Sequence, residues 1–433
     1  MSGVECDSFA VLIFPRMARL IIPLLLFLLI DLLVFKGVWL LTRGLGKPTR
    51  LWISIAYWAI SLTAVIGFAV TMSNFRELRT HNPGLINFWL GVFFTLLVPK
   101  VIFIAFNLTD DIVHLVRLGW YKLFPGGAVD GSEGSGISRA DFLTKAGLAA
   151  STVTLGAFVH GVTVGKYKFR VLEREIASNR IGYGLNGLRI VQISDMHLGS
   201  FAGDTAPVQK AVDMINSLDP DYILFTGDMV NEVADEAEPF IDVLGGLRAK
   251  HGKYSVFGNH DYAHYGEFTE EEEAASVKRL KEIHGEMGFR LLEDEHEVLT
   301  HGEDSFELLG VHNWGRGFFQ KGDLGKAMKG SNPNRFQILM SHDPTHFEEL
   351  VVDKTAIDLT LSGHTHGLQM GIEIPAIGLK FSPVQFVYKR WAGLYNVGKQ
   401  MLYVNRGFGF LAFPGRVGIF PEITLFRLKS DRA

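Results

Sequence analysis

The chain of 433 residues contains one cysteine, Cys6. A single thiol excludes a disulfide within the chain, a zinc site made of several thiolates and a cysteine-ligated iron–sulfur cluster. The sequence also lacks a glycine-rich P-loop and a Gly-x-Ser-x-Gly motif, so two common classes of catalytic loop are not indicated. Any metal bound by this chain must therefore use nitrogen and oxygen ligands.

Charged residues are scarce in the first part of the chain. Residues 1–165 hold 13 Lys+Arg and 9 Asp+Glu, which leaves 29 and 37 for residues 166–433. The net charges of the two parts are thus +4 and −8. The acidic second part repels a nucleic-acid backbone, so its charge argues against DNA or RNA as a partner. This contrast predicts a membrane part, 1–165, followed by a water-soluble domain, 166–433.

Four apolar runs in the first part are long enough to cross a bilayer as helices. They cover residues 20–41, 51–75, 85–106 and 146–165. Globular helices normally keep a polar face, so these runs predict a bundle of transmembrane helices. The charged residues and the histidine in these runs are Asp31, Lys36, Lys100 and His160. We interpret them as side chains that snorkel to the membrane surface, with a transport pathway as the alternative.

The basic residues between the runs predict an orientation. The short loop 42–50 has three basic residues and no acidic one, which places it in the cytoplasm by the positive-inside rule. Four crossings then put residues 166–433 outside, in the periplasm if the membrane is a Gram-negative inner membrane. Residues 138–147 resemble a twin-arginine export signal in which Ala140 replaces the second arginine, and they favour the same orientation. Basic residues in the next loop oppose it.

From about residue 186, short β-branched runs alternate with amphipathic stretches. Strands are predicted at 188–194, 221–227, 253–258, 306–311, 336–341, 357–363, 401–407 and 422–428. Helices are predicted at 205–218, 233–250 and 269–287. This alternation predicts an α/β domain whose sheet is covered by helices.

Metal-capable residues follow five of these strands, at the strand ends where open α/β sheets place their sites. The segments are Asp-Met-His at 195–197, Gly-Asp at 227–228, Gly-Asn-His-Asp at 258–261, His-Asp at 342–343 and Gly-His-Thr-His at 363–366. One such pair is a weak signal, whereas five in order are a strong one. Burying them together is costly unless they bind a cation.

These residue types suit two divalent cations. Asp228 can bridge them, Asp195, His197 and His366 complete one site, and Asn259, His342 and His364 complete the other. Nitrogen and oxygen ligands favour manganese, iron or zinc. Two such ions about 3.5–4 Å apart generate hydroxide and stabilise both in-line oxygens of a displacement at phosphorus. The two aspartates leave a net charge of about +2, which attracts an anionic phosphoryl group.

Further side chains near these segments are candidates for catalysis. His260 follows the ligand Asn259 and is expected to protonate the leaving oxygen or to stabilise transition-state charge. Asp261 either orients an imidazole or caps a helix. His346 is either a substrate contact or a structural residue, and Arg406 is either a phosphate contact or part of an ion pair. The remaining histidines are interpreted as surface or structural residues: His251, His264, His284, His296, His301 and His312.

The motifs at 195–197, 227–228, 258–261, 342 and 363–366, in this order, resemble the calcineurin-like metallophosphoesterase superfamily over roughly residues 186–428. The resemblance implies a four-layer αββα sandwich with a binuclear metal site. With its N-terminal helices, the chain is similar to transmembrane metallophosphoesterases. The domain itself resembles the bacterial branch related to UDP-2,3-diacylglucosamine hydrolases and membrane-anchored phosphodiesterases.

Two positions depart from the family pattern. Asn231 stands where some relatives have an acidic residue, and Leu368 stands where glycine is expected. Neither replaces a ligand, so they bear on pocket shape and substrate rather than on metal binding.

The combined prediction is a membrane-anchored, metal-dependent hydrolase that cleaves phosphodiester or pyrophosphate bonds. The expected partners are a lipid bilayer and a phosphoester substrate of lipid-linked or nucleotide type. Two alternatives stay open: a transporter or sensor that is regulated by a phosphoesterase domain, and a non-catalytic metal-binding scaffold. The sequence gives no oligomeric state.

Overall fold

Residues 25–123 and 139–432 are described by a computed structural model. The chain divides into two compact units, one that ends at His160 and one that begins at Gly161. Residues 20–24 of the first predicted apolar run lie outside the described residues, and the remainder of that run is helical.

The helices of the N-terminal part are α1 (residues 25–41), α2 (Lys47–Ser73), α3 (Phe75–His81), α4 (Pro83–Leu123) and α5 (Arg139–Thr163). Among the described residues, three helical segments are long and apolar enough to cross a bilayer: Lys47–Ser73, Pro83–Trp120 and Asp141–Thr163. Helix α4 continues beyond the predicted end at residue 106, because charged residues end the apolar run but are compatible with a helical backbone.

Buried polar side chains connect α1, α2 and α4. Lys100 Nζ lies 2.7 Å from Asp31 Oδ1, and Asp31 is 1% exposed. The hydroxyl groups of Ser61 and Tyr57 donate to the same carboxylate at 2.5 and 2.6 Å. The interpretation of Asp31 and Lys100 as snorkelling side chains is therefore wrong, because they pair with each other inside the bundle.

The second unit contains two six-stranded sheets and a two-stranded hairpin. The strands are β1 (Arg170–Ser178), β2 (Arg189–Ile193), β3 (Tyr222–Phe225), β4 (Gly252–Ser255), β5 (Arg290–Leu291), β6 (Glu295–His301), β7 (Asp304–Gly310), β8 (Phe336–Met340), β9 (Leu359–Ser362), β10 (Ile372–Ile374), β11 (Leu379–Phe381), β12 (Gly393–Val397), β13 (Gln400–Val404) and β14 (Glu422–Ser430). The first sheet has the order β1-β14-β2-β3-β4-β5 and the second β12-β13-β9-β8-β7-β6. Strands β2, β3 and β4 run parallel, as do β8 and β9.

The helices of this unit are α6 (Ala206–Ser217), α7 (Ile241–Gly245), α8 (Glu270–Glu286) and α9 (Leu324–Met328). One apolar core lies between the sheets, where Leu224 of the first sheet and Ile338 of the second are both buried. A second core packs α6 and α8 on the outer face of the first sheet. A third packs α9 on the outer face of the second sheet. The predicted four-layer αββα arrangement is thus confirmed.

The single helix predicted at 233–250 is wrong. The segment forms two short 3₁₀ turns, Ala234–Glu236 and Glu238–Phe240, before the five-residue helix α7. Pro239 lacks a backbone N–H, and the Gly245–Gly246 pair favours an end to the helix, so an apolar periodicity alone does not give a continuous helix here.

Candidate metal centre

The predicted ligands lie at the carboxyl ends of parallel strands from both sheets. In the first sheet Asp195 and His197 follow β2, Asp228 follows β3 and Asn259 follows β4; in the second His342 follows β8, and His364 and His366 follow β9. Each of these side chains is buried except that of His364, which is intermediate. The structure therefore brings all seven residues to one place between the two sheet edges.

The backbone at the ligands is unusual. Positive φ angles occur at Asp195 (53°), His197 (46°), Asp228 (60°), His364 (70°) and His366 (50°). A residue with a Cβ atom pays about 1–2 kcal/mol for this left-handed conformation. Such strain persists only where the surrounding structure enforces it, and it concentrates at functional sites. The surrounding structure therefore holds these loops in a conformation that directs the side chains into the candidate site.

The first cluster contains Asp195, His197 and His366, whose candidate ligand atoms lie within 4.8 Å of one another. His197 Nε2 is 3.0 Å from His366 Nε2, and the latter is 3.3 Å from Asp195 Oδ1. Two imidazole nitrogens that face each other share at most one proton. This donor set fits a divalent cation, which both lone pairs and the carboxylate oxygen would bind.

The second cluster contains Asp228, His342 and His364, which meet the same distance limit of 4.8 Å. Asn259 Oδ1 lies 2.8 Å from His364 Nδ1, so its carbonyl oxygen joins this cluster. The amide nitrogen of Asn259 donates to the Tyr265 hydroxyl at 2.8 Å, which leaves the oxygen for the site. The four residues again offer only nitrogen and oxygen atoms.

Asp228 lies between the two clusters. Its Oδ2 atom is 3.0 Å from His342 Nε2 and 3.6 Å from His197 Nε2. One carboxylate oxygen therefore lies near an imidazole of each cluster, a position compatible with the predicted bridging role.

The electrostatics of the site favour added positive charge. Burial lowers the pKa of His197 to about 3 and the pKa of His364 to about 4, so both remain neutral and keep a lone pair for a metal. Burial also acts to lower the pKa of His342, but the carboxylates of Asp228 and Asp195 outweigh it and raise that pKa to about 10. A cation is thus stabilised between these carboxylates.

Asp261 links the loops that carry the ligands. Its carboxylate accepts hydrogen bonds of 2.8 Å each from the backbone N–H groups of Asp228, Met229 and Gly258. In the short turn Asn259–Tyr262 the N-cap is Gly258 and Asp261 is the third residue, so Asp261 is not the N-cap itself but accepts a hydrogen bond from the N-cap N–H; none of these contacts orients an imidazole. Asp261 is a positioning residue that fixes the backbone of Asp228.

His260 lies at the edge of the clusters and is half-buried. Its Nδ1 donates to the carbonyl oxygen of Asn231 at 2.6 Å, so Nε2 is the nitrogen that remains for a substrate oxygen. The imidazole also packs against the Tyr265 ring, with centroids 4.4 Å apart. This arrangement fits the predicted role in proton transfer.

A cavity of about 360 Å³ opens over the two clusters. Its polar side includes Asp228 and His260, and its apolar side includes Leu368, Val384 and Val387. Leu368 has a φ of 51°, a conformation that glycine adopts without strain, which explains why glycine is expected there. Its side chain is 50% exposed and extends the apolar wall.

Three residues that touch the ligands were not predicted as site residues. Asp343 Oδ2 and the Tyr388 hydroxyl lie 3.5 and 2.8 Å from His364 Nε2. Arg416 is fully buried, and its guanidinium lies 3.1 Å from His366 Nδ1. Asp343 follows a predicted ligand directly, so the strand-end pattern contained a signal for it. Tyr388 and Arg416 carry no local motif.

The contacts of Arg406 and His346 decide between the two alternatives that were predicted for each residue. Arg406 forms ion pairs with Glu373 at 2.7 Å and Glu422 at 2.6 Å, so the ion-pair interpretation is confirmed. His346 is fully buried, and its Nδ1 lies 2.7 Å from the Ser341 hydroxyl, which makes it a structural residue.

Comparison with known proteins places the chain in a family. Residues 17–166 match the profile of "Probable Calcineurin-like phosphoesterase, transmembrane domain", and residues 188–368 match that of "Calcineurin-like phosphoesterase". The chain is 31% identical to the uncharacterized metallophosphoesterase YkuE of Bacillus subtilis over 68% of this chain and 98% of YkuE. The protein therefore belongs to the calcineurin-like phosphoesterase family. It is a membrane-associated metallophosphoesterase, a hydrolase of phosphoesters.

Two further relatives are informative. A transmembrane protein with metallophosphoesterase domain from Danio rerio is 28% identical over 88% of this chain and 82% of the relative. The UDP-2,3-diacylglucosamine pyrophosphatase LpxG of Chlamydia muridarum is 29% identical over 56% of this chain and 84% of the relative. The similarity to the Danio rerio protein covers 88% of this chain, which is much more than the segment 195–366 that carries the motifs.

Proposed function

We propose that this protein hydrolyses phosphodiester or pyrophosphate bonds by means of two divalent cations, in a substrate that is lipid-linked or of nucleotide type. In this proposal residues 166–433 form the catalytic domain and residues 1–165 hold it at the membrane. The observation that carries it is the position of Asp228 Oδ2, 3.0 and 3.6 Å from imidazole nitrogens of the two clusters.

In this proposal different residues bind the cations, donate the proton and position the loops. Two bound cations, manganese, iron or zinc by the donor set, would supply Lewis-acid activation of water and of the phosphoryl oxygens. The predicted ligands would hold these ions, and their two carboxylates would leave a positive field for an anionic phosphoryl group. His260 donates a proton to the leaving oxygen, and the Asn231 carbonyl orients its ring. Asp261 keeps the Asp228 loop in place.

The shape of the cavity supports an amphiphilic substrate. The phosphoryl group would lie over the polar side, and an apolar portion would lie against Leu368, Val384 and Val387. The similarity to a UDP-2,3-diacylglucosamine pyrophosphatase agrees with such a molecule.

A substrate panel tests the proposal. Purified full-length protein with manganese is assayed on an aryl phosphodiester, an aryl phosphomonoester, a phospholipid and UDP-diacylglucosamine, with Asp195→Asn as the inactive control. We expect hydrolysis of the diester or the pyrophosphate that the variant loses. Two bound metals without turnover of any compound would favour the scaffold instead. Turnover that depends on an ion gradient across the membrane would favour the transporter or sensor.

We also propose that the protein spans an inner membrane with its catalytic domain in the periplasm. The basic loop 42–50 and the export-like segment 138–147 support this orientation. A C-terminal alkaline phosphatase fusion is expected to be active and a C-terminal fluorescent cytoplasmic reporter to be dark. The reverse pair of results would contradict the orientation.

A further inference from the structure

The hairpin of β10 and β11 exposes apolar side chains. Its strands pair in antiparallel register, with Ile372 opposite Phe381 and Ile374 opposite Leu379. These four side chains are 53%, 40%, 43% and 43% exposed. Alternate residues of a strand point to opposite faces, so the four share one outward face of the hairpin.

The charged residues of the same hairpin lie on the other face and are engaged by the protein. Glu373 forms an ion pair of 2.7 Å with Arg406. Lys380 Nζ donates to the carbonyl oxygen of Ala392 and, at 3.1 Å, to the Tyr395 hydroxyl. A sheet with one solvated face normally turns its polar side chains outward. This hairpin reverses that pattern.

Further exposed apolar residues lie close to the hairpin in the sequence. Ile377 at the hairpin tip is 72% exposed, and Phe386 and Val387 in the turn after β11 are 80% and 78% exposed. We call these three residues together with the outward face of the hairpin the apolar rim. Val387 also lines the cavity over the predicted metal ligands, so at this residue the apolar rim reaches the candidate active site.

We propose that the apolar rim inserts into the interfacial region of a lipid bilayer and there admits lipid-linked substrates to the site. The admission of lipid-linked substrates rests on the proposed function, whereas the insertion does not. Exposed contiguous apolar patches mark interaction surfaces. The same chain carries membrane-spanning helices, so a bilayer is present at high effective concentration.

The charge beside the rim also favours lipid. The exposed Lys389 follows the rim residue Val387 by two positions and suits anionic headgroups, while the carboxylate within the hairpin, Glu373, lies on the opposite face and pairs with Arg406. Aliphatic and aromatic side chains flanked by a basic residue are typical of interfacial membrane segments.

Depth-dependent quenching tests insertion in the full-length protein. The only native cysteine is removed by Cys6→Ser, and Ile377→Cys is labelled with an environment-sensitive fluorophore. The protein is reconstituted in nanodiscs of phosphatidylcholine and phosphatidylglycerol that contain lipids spin-labelled on the acyl chain. The matched control is Lys210→Cys, an exposed position on α6. We expect clearly stronger quenching at position 377 than at position 210. Equal quenching, or cross-linking of position 377 between two copies or to another protein in place of quenching, would overturn the proposal.

An activity comparison tests delivery of the substrate. The variant Ile374→Ser/Ile377→Ser/Leu379→Ser changes rim residues that do not line the cavity. We expect turnover of a lipid-borne phosphodiester in nanodiscs to fall about tenfold or more, because the apolar contact with the bilayer is lost. Turnover of a water-soluble aryl phosphodiester should stay unchanged. An equal loss on both substrates would overturn the delivery role. The quenching experiment does not depend on activity. A protein whose rim is quenched but which hydrolyses neither substrate would therefore contradict the proposed function and not the insertion.

Discussion

Two regions of this protein bury carboxylates, and they satisfy them in opposite ways. In the helical unit, Asp31 meets Lys100 at 2.7 Å and two hydroxyl donors, so the chain supplies the neutralising charge. In the catalytic unit, Asp195 and Asp228 face imidazoles, at distances of 3.3 Å to His366 and 3.0 Å to His342. The first arrangement is closed, whereas we propose that the second is completed by bound cations. A buried carboxylate therefore does not identify a metal site by itself. The neighbouring side chains distinguish the two regions: a lysine and two hydroxyl groups in the helical unit, and imidazoles in the catalytic unit.

The two regions also differ in their backbone conformation and in their access to solvent. At the candidate metal centre, five of the predicted ligands have left-handed backbone angles, and a cavity of about 360 Å³ leads to them. Asp31 lies within a regular helix and is 1% exposed. Backbone strain and access to solvent thus occur together at the candidate metal centre, whereas the Asp31–Lys100 pair lies in regular helices.

The largest effect is expected from Asp228→Asn, which removes the shared charge between the clusters. Turnover should be abolished and metal affinity should fall by about 100-fold or more, since replacing even an outer-shell partner costs 10–100-fold. Elemental analysis after dialysis and a phosphodiesterase assay measure both quantities. Asp213→Asn, at an exposed carboxylate on α6, is the matched control and should change neither. Two tightly bound metals in an active Asp228→Asn protein would refute the bridging role.

Chemistry can be separated from cation binding by His260→Ala. We expect kcat to fall by roughly 10²–10⁴-fold with the metal content unchanged, because the proton donor is lost while the ligands remain. A series of aryl phosphodiesters measures the dependence on the leaving group. The loss should shrink for good leaving groups, which need little protonation. An equal loss across the series would instead indicate electrostatic stabilisation or positioning.

The closed charge pair is tested by Lys100→Met. Asp31 then stays buried without its cation, which should destabilise the helical unit by about 3 kcal/mol or more. Thermal unfolding followed by tryptophan fluorescence reports mainly this unit, because five of the seven tryptophans lie before residue 160. Metal content should not change.

Two further variants complete that test. Lys36→Met replaces an exposed lysine of α1 and should have little effect. Asp31→Asn combined with Lys100→Met removes both charges and should recover part of the lost stability. A stable Lys100→Met protein would mean that the pair contributes little, and the contrast between the two regions would then weaken.

The smallest effect is expected at Leu368. Leu368→Gly and Leu368→Ala remove the same side-chain contacts beyond Cβ, but only glycine adopts the φ of 51° without strain. We expect the glycine variant to be more stable than the alanine variant by about 1 kcal/mol, measured by thermal unfolding of the catalytic unit. Equal stability of the two variants would show that this backbone stores no strain.

The parts that the sequence predicted depend on local patterns. Short apolar runs that alternate with amphipathic stretches indicated the strands, and the polar residues directly after these runs were predicted as ligands, which the structure places together at strand ends. The contacts of Arg416 with His366 and of Lys100 with Asp31 join residues that are 50 and 69 positions apart, so no local pattern encodes them. The hairpin of β10 and β11 has strands of three residues, too short for a periodic signal. Pro239 broke a helix whose apolar pattern was otherwise regular.

The central claim is that one carboxylate joins two cation sites, and electron paramagnetic resonance of the full-length protein loaded with manganese tests it most directly. Two Mn²⁺ ions bridged by Asp228 would lie about 3.5–4 Å apart and give an exchange-coupled spectrum. Elemental analysis of the same sample should find two manganese ions per chain. We predict that the coupled signal is lost in Asp228→Asn and retained in Asp213→Asn. An uncoupled six-line spectrum from one ion per chain in the unmodified protein would contradict it.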